Sequence, residues 1–168
     1  MTTQLIDYRP AEHDSLLQAW LQAPHVIEGW GETSLASALD ATDGGSCRIV
    51  VHDGEPVGFL RWHPLSRDEL DAAGLVEIPA DGFDLDLLVG SAAHLGRGVG
   101  TQALREAEAF LRATCAPPFF TLCTKVGNER ALRCYRRAGY TVVRTFREAG
   151  QDYFFLRKDA APASSDRH

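Results

Sequence analysis

What this chain is short of narrows its reading before any motif is met. Lys and Arg total 17 against 23 Asp and Glu, a formal net charge of −6. That shortage of positive charge argues against nucleic acid as a partner, because a phosphate backbone demands a basic surface. It leaves room for a cationic ligand. No apolar run approaches the roughly 20 residues that cross a bilayer, so no membrane partner is expected. The start, Met1-Thr2-Thr3-Gln4, has no basic region followed by an apolar stretch, and no signal peptide is expected. Cys47, Cys115, Cys123 and Cys134 lack metal-site spacing and an accompanying His pair, so no metal is expected. They read as free thiols of a cytoplasmic protein. What is present, 45% hydrophobic residues over 168, suffices for one folded domain, expected over residues 1–159. Residues 160–168 read as a flexible tail.

The pattern along the chain predicts alternating elements. Gln4 to Arg9 fits a strand and Ala11 to Gln22 a helix, with Leu16, Leu17, Trp20 and Leu21 at helical spacing. Pro24 is expected to break that helix and open a loop, His25 to Glu32, after which Thr33 or Ser34 caps a helix running to about Asp40. Cys47 to His52 and Pro56 to Trp62 read as a hairpin across Asp53-Gly54. His63 to Asp81 reads as a long loop that admits a short helix at Ser66 to Ala72. Phe83 to Gly90 is the next strand and Gly98 to Thr114 a helix striped with Val99, Ala103, Leu104, Ala107, Phe110 and Leu111. A strand at Phe119 to Thr124, a helix at Glu129 to Ala138 closed by Gly139, and a hairpin of Tyr140 to Arg147 with Asp152 to Arg157 complete the chain. This order predicts an α/β domain with a mixed sheet and helices on its faces.

One stretch carries chemistry by itself. Leu95-Gly96-Arg97-Gly98-Val99-Gly100 follows a predicted strand and opens a predicted helix. Glycines let backbone N–H groups converge, and a helix start adds free N–H groups and a positive dipole end. Such a turn suits a phosphate. Asp86 is a second signal, because a carboxylate between Leu85 and Leu87 costs energy without a partner or a task. It reads as an ion pair or as a base for a proton-shedding ligand. Asp84 points the same way along the strand. Tyr135 falls on the inward stripe of its helix with Ala131 and Leu132, and by pattern alone is a core aromatic.

The glycine run resembles the acetyl-CoA pyrophosphate loop of the GNAT superfamily of N-acetyltransferases. Asn128-Glu129-Arg130-Ala131-Leu132-Arg133-Cys134-Tyr135-Arg136-Arg137-Ala138-Gly139-Tyr140 is similar to that family's second signature, and the separation of the two also matches. The resemblance spans Gln4 to Lys158. It implies a mostly antiparallel sheet whose fourth and fifth strands splay, with acetyl-CoA in the gap. The cofactor set it implies is the main chain of Leu87, Leu88 and Val89, the turn Leu95, Gly96, Arg97, Gly98, Val99, Gly100 and Thr101, and Asn128, Ala131 and Tyr135. It implies Asp86 as the base that deprotonates an amine and Tyr135 as the acid that protonates the thiol.

Within the family, three features are similar to the aminoglycoside 6′-N-acetyltransferases: the tryptophan-bearing run His25-Val26-Ile27-Glu28-Gly29-Trp30-Gly31, Asp86 on the strand before the glycine turn, and Leu95 in that turn. This likeness implies a small polycationic amine as acceptor, met by Trp30, Glu28, Asp84, Asp86 and Cys123. Cys123 stands where that subgroup often has Asp, and Asp84 where a Gly is frequent. Other amines remain open (a siderophore hydroxylysine, a polyamine, a protein N-terminus), as does a non-catalytic acyl-CoA-binding module. The chain is expected to act as a monomer or homodimer.

Overall fold

The computed structural model describes residues 2–40 and 43–160. Its first strand, β1 (Thr3–Asp7), leads to helix α1 (Pro10–Leu21). Pro10 opens that helix from an extended Arg9, a place where a missing N–H costs nothing. The same device operates again at Pro24. Ala23 is extended, Pro24 starts α2 (Pro24–Trp30), and the segment expected as a loop is a helix. The preceding helix does end before Pro24, at Leu21, and the same proline opens the next one. Ser34 caps α3 (Leu35–Ala38) by accepting from Ser37 N at 3.1 Å.

Strands β2 (Ser46–His52) and β3 (Glu55–Pro64) form the expected hairpin, and Asp53 and Gly54 both take positive φ, as a two-residue turn requires. Helix α4 (Arg67–Ala72), capped by Ser66, lies in the long segment before β4 (Phe83–Val89). A short 3-10 turn, Ala92–His94, precedes α5 (Val99–Thr114). Then come β5 (Phe119–Lys125), α6 (Glu129–Arg137), β6 (Thr141–Glu148) and β7 (Gln151–Asp159). Ala160 N donates to Pro118 O at 2.9 Å, so this residue is tied to the fold. The rest of the expected tail lies outside the described residues.

The sheet runs β1-β2-β3-β4-β5-β7-β6, antiparallel except between β4 and β5. Those two pair only at Phe83 with Phe120 and at Asp84 with Thr121. Beyond that point β4 keeps its partner β3 while β5 keeps β7, and a gap opens between them. One face of the sheet, with Leu60, Leu85, Leu87 and Leu122, is covered by α5 and α6. The other is covered in two patches. Ile49, Phe59 and Leu88 pack under α1, α2 and α3, while Phe119 and Phe155 pack with Leu70 and Ile78 from the α4 region. Each fully buried Leu or Phe contributes about 1.5–3 kcal/mol, so this side of the sheet is anchored at both ends. The strip between the patches carries Asp84, Asp86, Thr121 and Cys123.

Helix α5 is fixed by a buried charge as well as by its apolar stripe. Glu108, 1% exposed, accepts from Tyr140 Oη at 2.8 Å and from Lys158 Nζ at 2.7 Å. Arg112 adds a longer contact at 3.6 Å. Among the described residues, no helix is long and apolar enough to cross a membrane.

Candidate active site

A single cleft of about 740 Å³ follows the gap between β4 and β5 and passes the start of α5. Its outer end is built from main chain. Gly96 and Gly98 hold φ of +72° and +79°, left-handed values that a side chain resists. Gly98 is the N-cap of α5 and has no side chain to offer, so no side-chain cap satisfies the first N–H groups of that helix. Gly100 serves a different need. A Cβ there would stand 2.8 Å from Cys134 Sγ and 3.2 Å from Leu87 Cδ2, so its absence lets α5, α6 and β4 close together. Arg130, Arg133 and Arg137 of α6 line the same end and bring positive charge. Asn128 caps α6 by accepting from Ala131 N at 3.3 Å.

The middle of the cleft is the open edge of β4. Leu87 O accepts from Trp30 Nε1 at 3.0 Å, and Val89 O is 2.9 Å from His25 Nε2. Main-chain groups of a strand alternate between its two sides. The carbonyls of Leu87 and Val89 therefore face the gap, whereas the polar groups of Leu88 face β3. Of the three residues expected to pair with a ligand through main chain, Leu87 and Val89 are the ones turned toward it.

The inner end is acidic. Asp86 Oδ2 accepts from Arg61 Nε at 2.8 Å. Arg61 is anchored in turn by donating to Ser37 O and Ala38 O, both at 2.8 Å, and its guanidinium lies 5.4 Å from the centre of the Trp30 ring. Asp84 accepts from Thr121 Oγ1 at 2.6 Å. Across β3, His63 Nε2 meets Glu69 Oε1 at 2.9 Å. One polar atom from each of His63, Asp84 and Asp86 lies within 4.8 Å of the others. Burial, reinforced by the neighbouring Asp86 charge, pushes the Asp84 carboxyl up to about 7, against the opposing pull of His63 and Thr121. The hydrogen bond that His63 donates to Glu69, aided by Asp84 and Asp86, holds His63 above its usual range despite burial. Burial raises the Cys123 thiol well above its ordinary range, and Asp84 and Asp86 raise it further, so Cys123 stays uncharged. Burial likewise keeps the Tyr135 phenol protonated.

Most of the residues singled out in the sequence meet in this cleft. Trp30, Asp84, Asp86, Leu87, Leu88, Val89, Leu95, Gly96, Gly98, Val99, Gly100, Thr101, Cys123, Asn128, Ala131 and Tyr135 all line it. Arg97 is exposed and is not among the residues that line the cleft. Glu28 is exposed on α2 and borders a depression that adjoins the cleft beside Lys125 and Arg130. Trp30, expected on a loop, sits on a helix and is half-buried. Arg61, His63, Glu69 and Thr121 were not singled out. Their roles depend on strand register, Arg61 opposite Asp86 and His63 opposite Asp84, which no local motif announces.

Comparison with known proteins agrees with this architecture. Residues 9–147 match the family described as the acetyltransferase (GNAT) domain. Aminoglycoside N(6′)-acetyltransferase type 1 of Klebsiella pneumoniae is 28% identical over 142 residues, spanning 77% of this chain and 70% of that protein. The protein of the same name from Serratia marcescens aligns equally well, with 28% identity over 142 residues. In fold, the chain is similar to the crystal structure of aminoglycoside acetyltransferase AAC(6′)-Ib in complex with coenzyme A and kanamycin, with a TM-score of 0.79 at 22% identity, over 94% of this chain and 95% of that one. The uncapped helix start, the unpaired β4 edge and the arginines of α6 fit the diphosphate, amide-bearing arm and phosphate of coenzyme A.

Proposed function

The chain belongs to the GNAT acetyltransferase family and is an acetyl-CoA-dependent N-acetyltransferase, and from that premise we propose that it acetylates a small polycationic amine of the aminoglycoside kind. The observation that carries this reading is the half-buried carboxylate pair Asp84 and Asp86 at the inner end of the cofactor cleft, walled by Trp30. The one guanidinium here, that of Arg61, is committed to Asp86, so Asp84 adds negative charge where an ammonium must lodge. The similarity to two aminoglycoside N(6′)-acetyltransferases supports the same class of acceptor.

Acetyl-CoA supplies the acetyl thioester. The chain's own groups do the rest. N–H groups between Leu95 and Thr101 bind the diphosphate, and Arg130, Arg133 or Arg137 meets a further phosphate. The open edge of β4 at Leu87 and Val89 holds the amide-bearing arm, and an N–H there polarises the thioester carbonyl. Asp86, with one oxygen held by Arg61, turns the other to the incoming ammonium and holds it in place for deprotonation, directly or through water. Tyr135, protonated and buried beside the cleft, is the proton donor to the departing sulfur. Asn128 orients this wall by capping α6. Cys123 contributes shape and no charge. One chain supplies every group named, so a monomer suffices. The four free thiols suit a reducing compartment.

Release of free thiol from acetyl-CoA tests the reading, with kanamycin, spermine and a short peptide as acceptors. Kanamycin is expected to give the fastest release. Preference for spermine or the peptide would reassign the acceptor. Calorimetry that finds coenzyme A binding with no release for any amine would mark a binding module instead.

A further inference from the structure

Asp86 meets the amine already engaged, since Arg61 holds one of its oxygens at 2.8 Å. Arg61 occupies that oxygen and fixes the carboxylate's orientation, which suits Asp86 to hold a cation at a set place. The neighbouring carboxylate is set up differently. Asp84 lines the same cleft, two residues back on the same side of β4, and among the described residues its direct hydrogen bond is from the neutral Thr121 hydroxyl at 2.6 Å. Behind it, off the cleft, stand His63 and Glu69, joined at 2.9 Å. Glu69 belongs to α4, which is only partly shielded from solvent, so this pair links the inner end of the cleft to bulk water.

Resting on the proposed amine acetylation, we infer that Asp84 is the proton acceptor for the substrate ammonium, with Asp86 as its binding partner and the His63–Glu69 pair positioned behind Asp84 to set when it can accept. The step balances without a further reactant. One N–H bond of the ammonium breaks and one O–H bond forms on Asp84. A cation and an anion become a neutral amine and a neutral acid, so no net charge is left in a poorly hydrated site. The freed lone pair is the nucleophile.

The surroundings of Asp84 support the division. From β3 it faces His63, while Arg61 is committed to Asp86. Glu69 from α4 and Asp86 on its own strand oppose its ionisation, and His63 favours it. Cys123 of β5 and Tyr135 of α6 are near enough to feel its charge, and both stay protonated beside it. Tyr140, which also feels that charge, is engaged with Glu108. Glu148 of β6 acts on Cys123 in the same sense. The balance places the Asp84 carboxyl at about 7, where a base both ionises and accepts effectively at neutral pH.

Two measurements decide the matter. In the wild-type chain labelled with 13C at aspartate carboxyls, one signal is expected to titrate near neutrality. It should be lost in Asp84→Asn and move to higher pH in His63→Gln, which removes a cation but keeps a polar group. In thiol release from acetyl-CoA with kanamycin or spermine, Asp84→Asn should lower kcat roughly 100-fold or more, with coenzyme A affinity by calorimetry unchanged. His63→Gln should shift the acidic limb of the kcat profile upward along with the carboxyl signal. A limb that belongs to the amine itself stays in place in every variant. Wild-type rate and profile in Asp84→Asn, or no aspartate titrating above pH 5, overturns the inference. Failure of the wider reading looks different: a wild-type chain that binds coenzyme A yet releases no thiol with any amine. That outcome refutes a proton-accepting role for Asp84 as well, whatever the carboxyl signal does.

Discussion

The two ends of the cleft are made in opposite ways. The cofactor end is main chain from one continuous stretch, β4 through the start of α5, backed by α6. The acceptor end is side chain, assembled from α2, β3, α4, β4 and β5. A diphosphate needs N–H groups at fixed spacing, and a glycine turn into a helix provides them locally. An ammonium that must lose its proton needs charges of graded basicity, and those arise only when strands bring distant residues into register. The first end is robust to side-chain change except where space is tight. The second is sensitive to single atoms.

The sharpest test of that contrast is Asp86→Asn. It is expected to cut kcat/KM about 100-fold or more through loss of the ammonium's partner, while calorimetry shows unchanged coenzyme A affinity. Equal loss at both ends would break the comparison, and unchanged turnover would remove Asp86 from the mechanism.

Stability offers the next test, at Asp84. Its carboxyl titrates near 7 in the folded chain against 3.8 ordinarily. Between those values the folded chain keeps a proton that the unfolded chain has lost, so Asp84 contributes stability below about pH 4 that fades as pH rises through 7. Asp84→Asn, which can still accept from Thr121, is therefore expected to stabilise the fold at pH 8 by at most about 4 kcal/mol, read in urea melts. A variant that loses activity and gains stability marks a group retained for chemistry. A destabilised variant would make Asp84 structural.

At the cofactor end, Gly100→Ala is expected to cost about 1–3 kcal/mol and weaken coenzyme A binding, because the new methyl meets Cys134 Sγ. Cys134→Ala in the same chain should restore much of the loss. The smallest expected effect lies where the ends join. Trp30→Phe removes the bond to Leu87 O and keeps an aromatic wall, a change of about 0.5–1.5 kcal/mol. It should appear in KM for the amine more than in coenzyme A affinity.

The same contrast explains what could be read from the residues alone. The hairpins, α5 with its stripe save for Phe110, which is exposed, the capped α6 and the glycine turn all follow from local rules, and the structure has them within a residue or two of the expected bounds. Helix α2 did not follow, because Pro24 ends one pattern and begins another with the same residue. Asp86 stood out as a carboxylate in an apolar strand, but its guanidinium did not, since Arg61 and Asp86 are 25 residues apart and meet only through pairing of β3 with β4. His63 and Thr121 were hidden for the same reason, since each stands opposite Asp84 only through strand pairing. The buried charge of Glu108 lay unnoticed within an amphipathic helix, and only its contacts with Tyr140 and Lys158 explain it.

The short contact between β4 and β5 has a thermodynamic corollary. A sheet joined at its centre by two residue pairs resembles a garment fastened at one button. Any molecule that bridges the remaining seam adds its own association energy to the cohesion of the whole, by about 2.7 kcal/mol at a hundredfold excess over its dissociation constant. Melting should then climb with the logarithm of coenzyme A concentration. Amide exchange should slow first along Leu87 and Val89, on the lips of that seam.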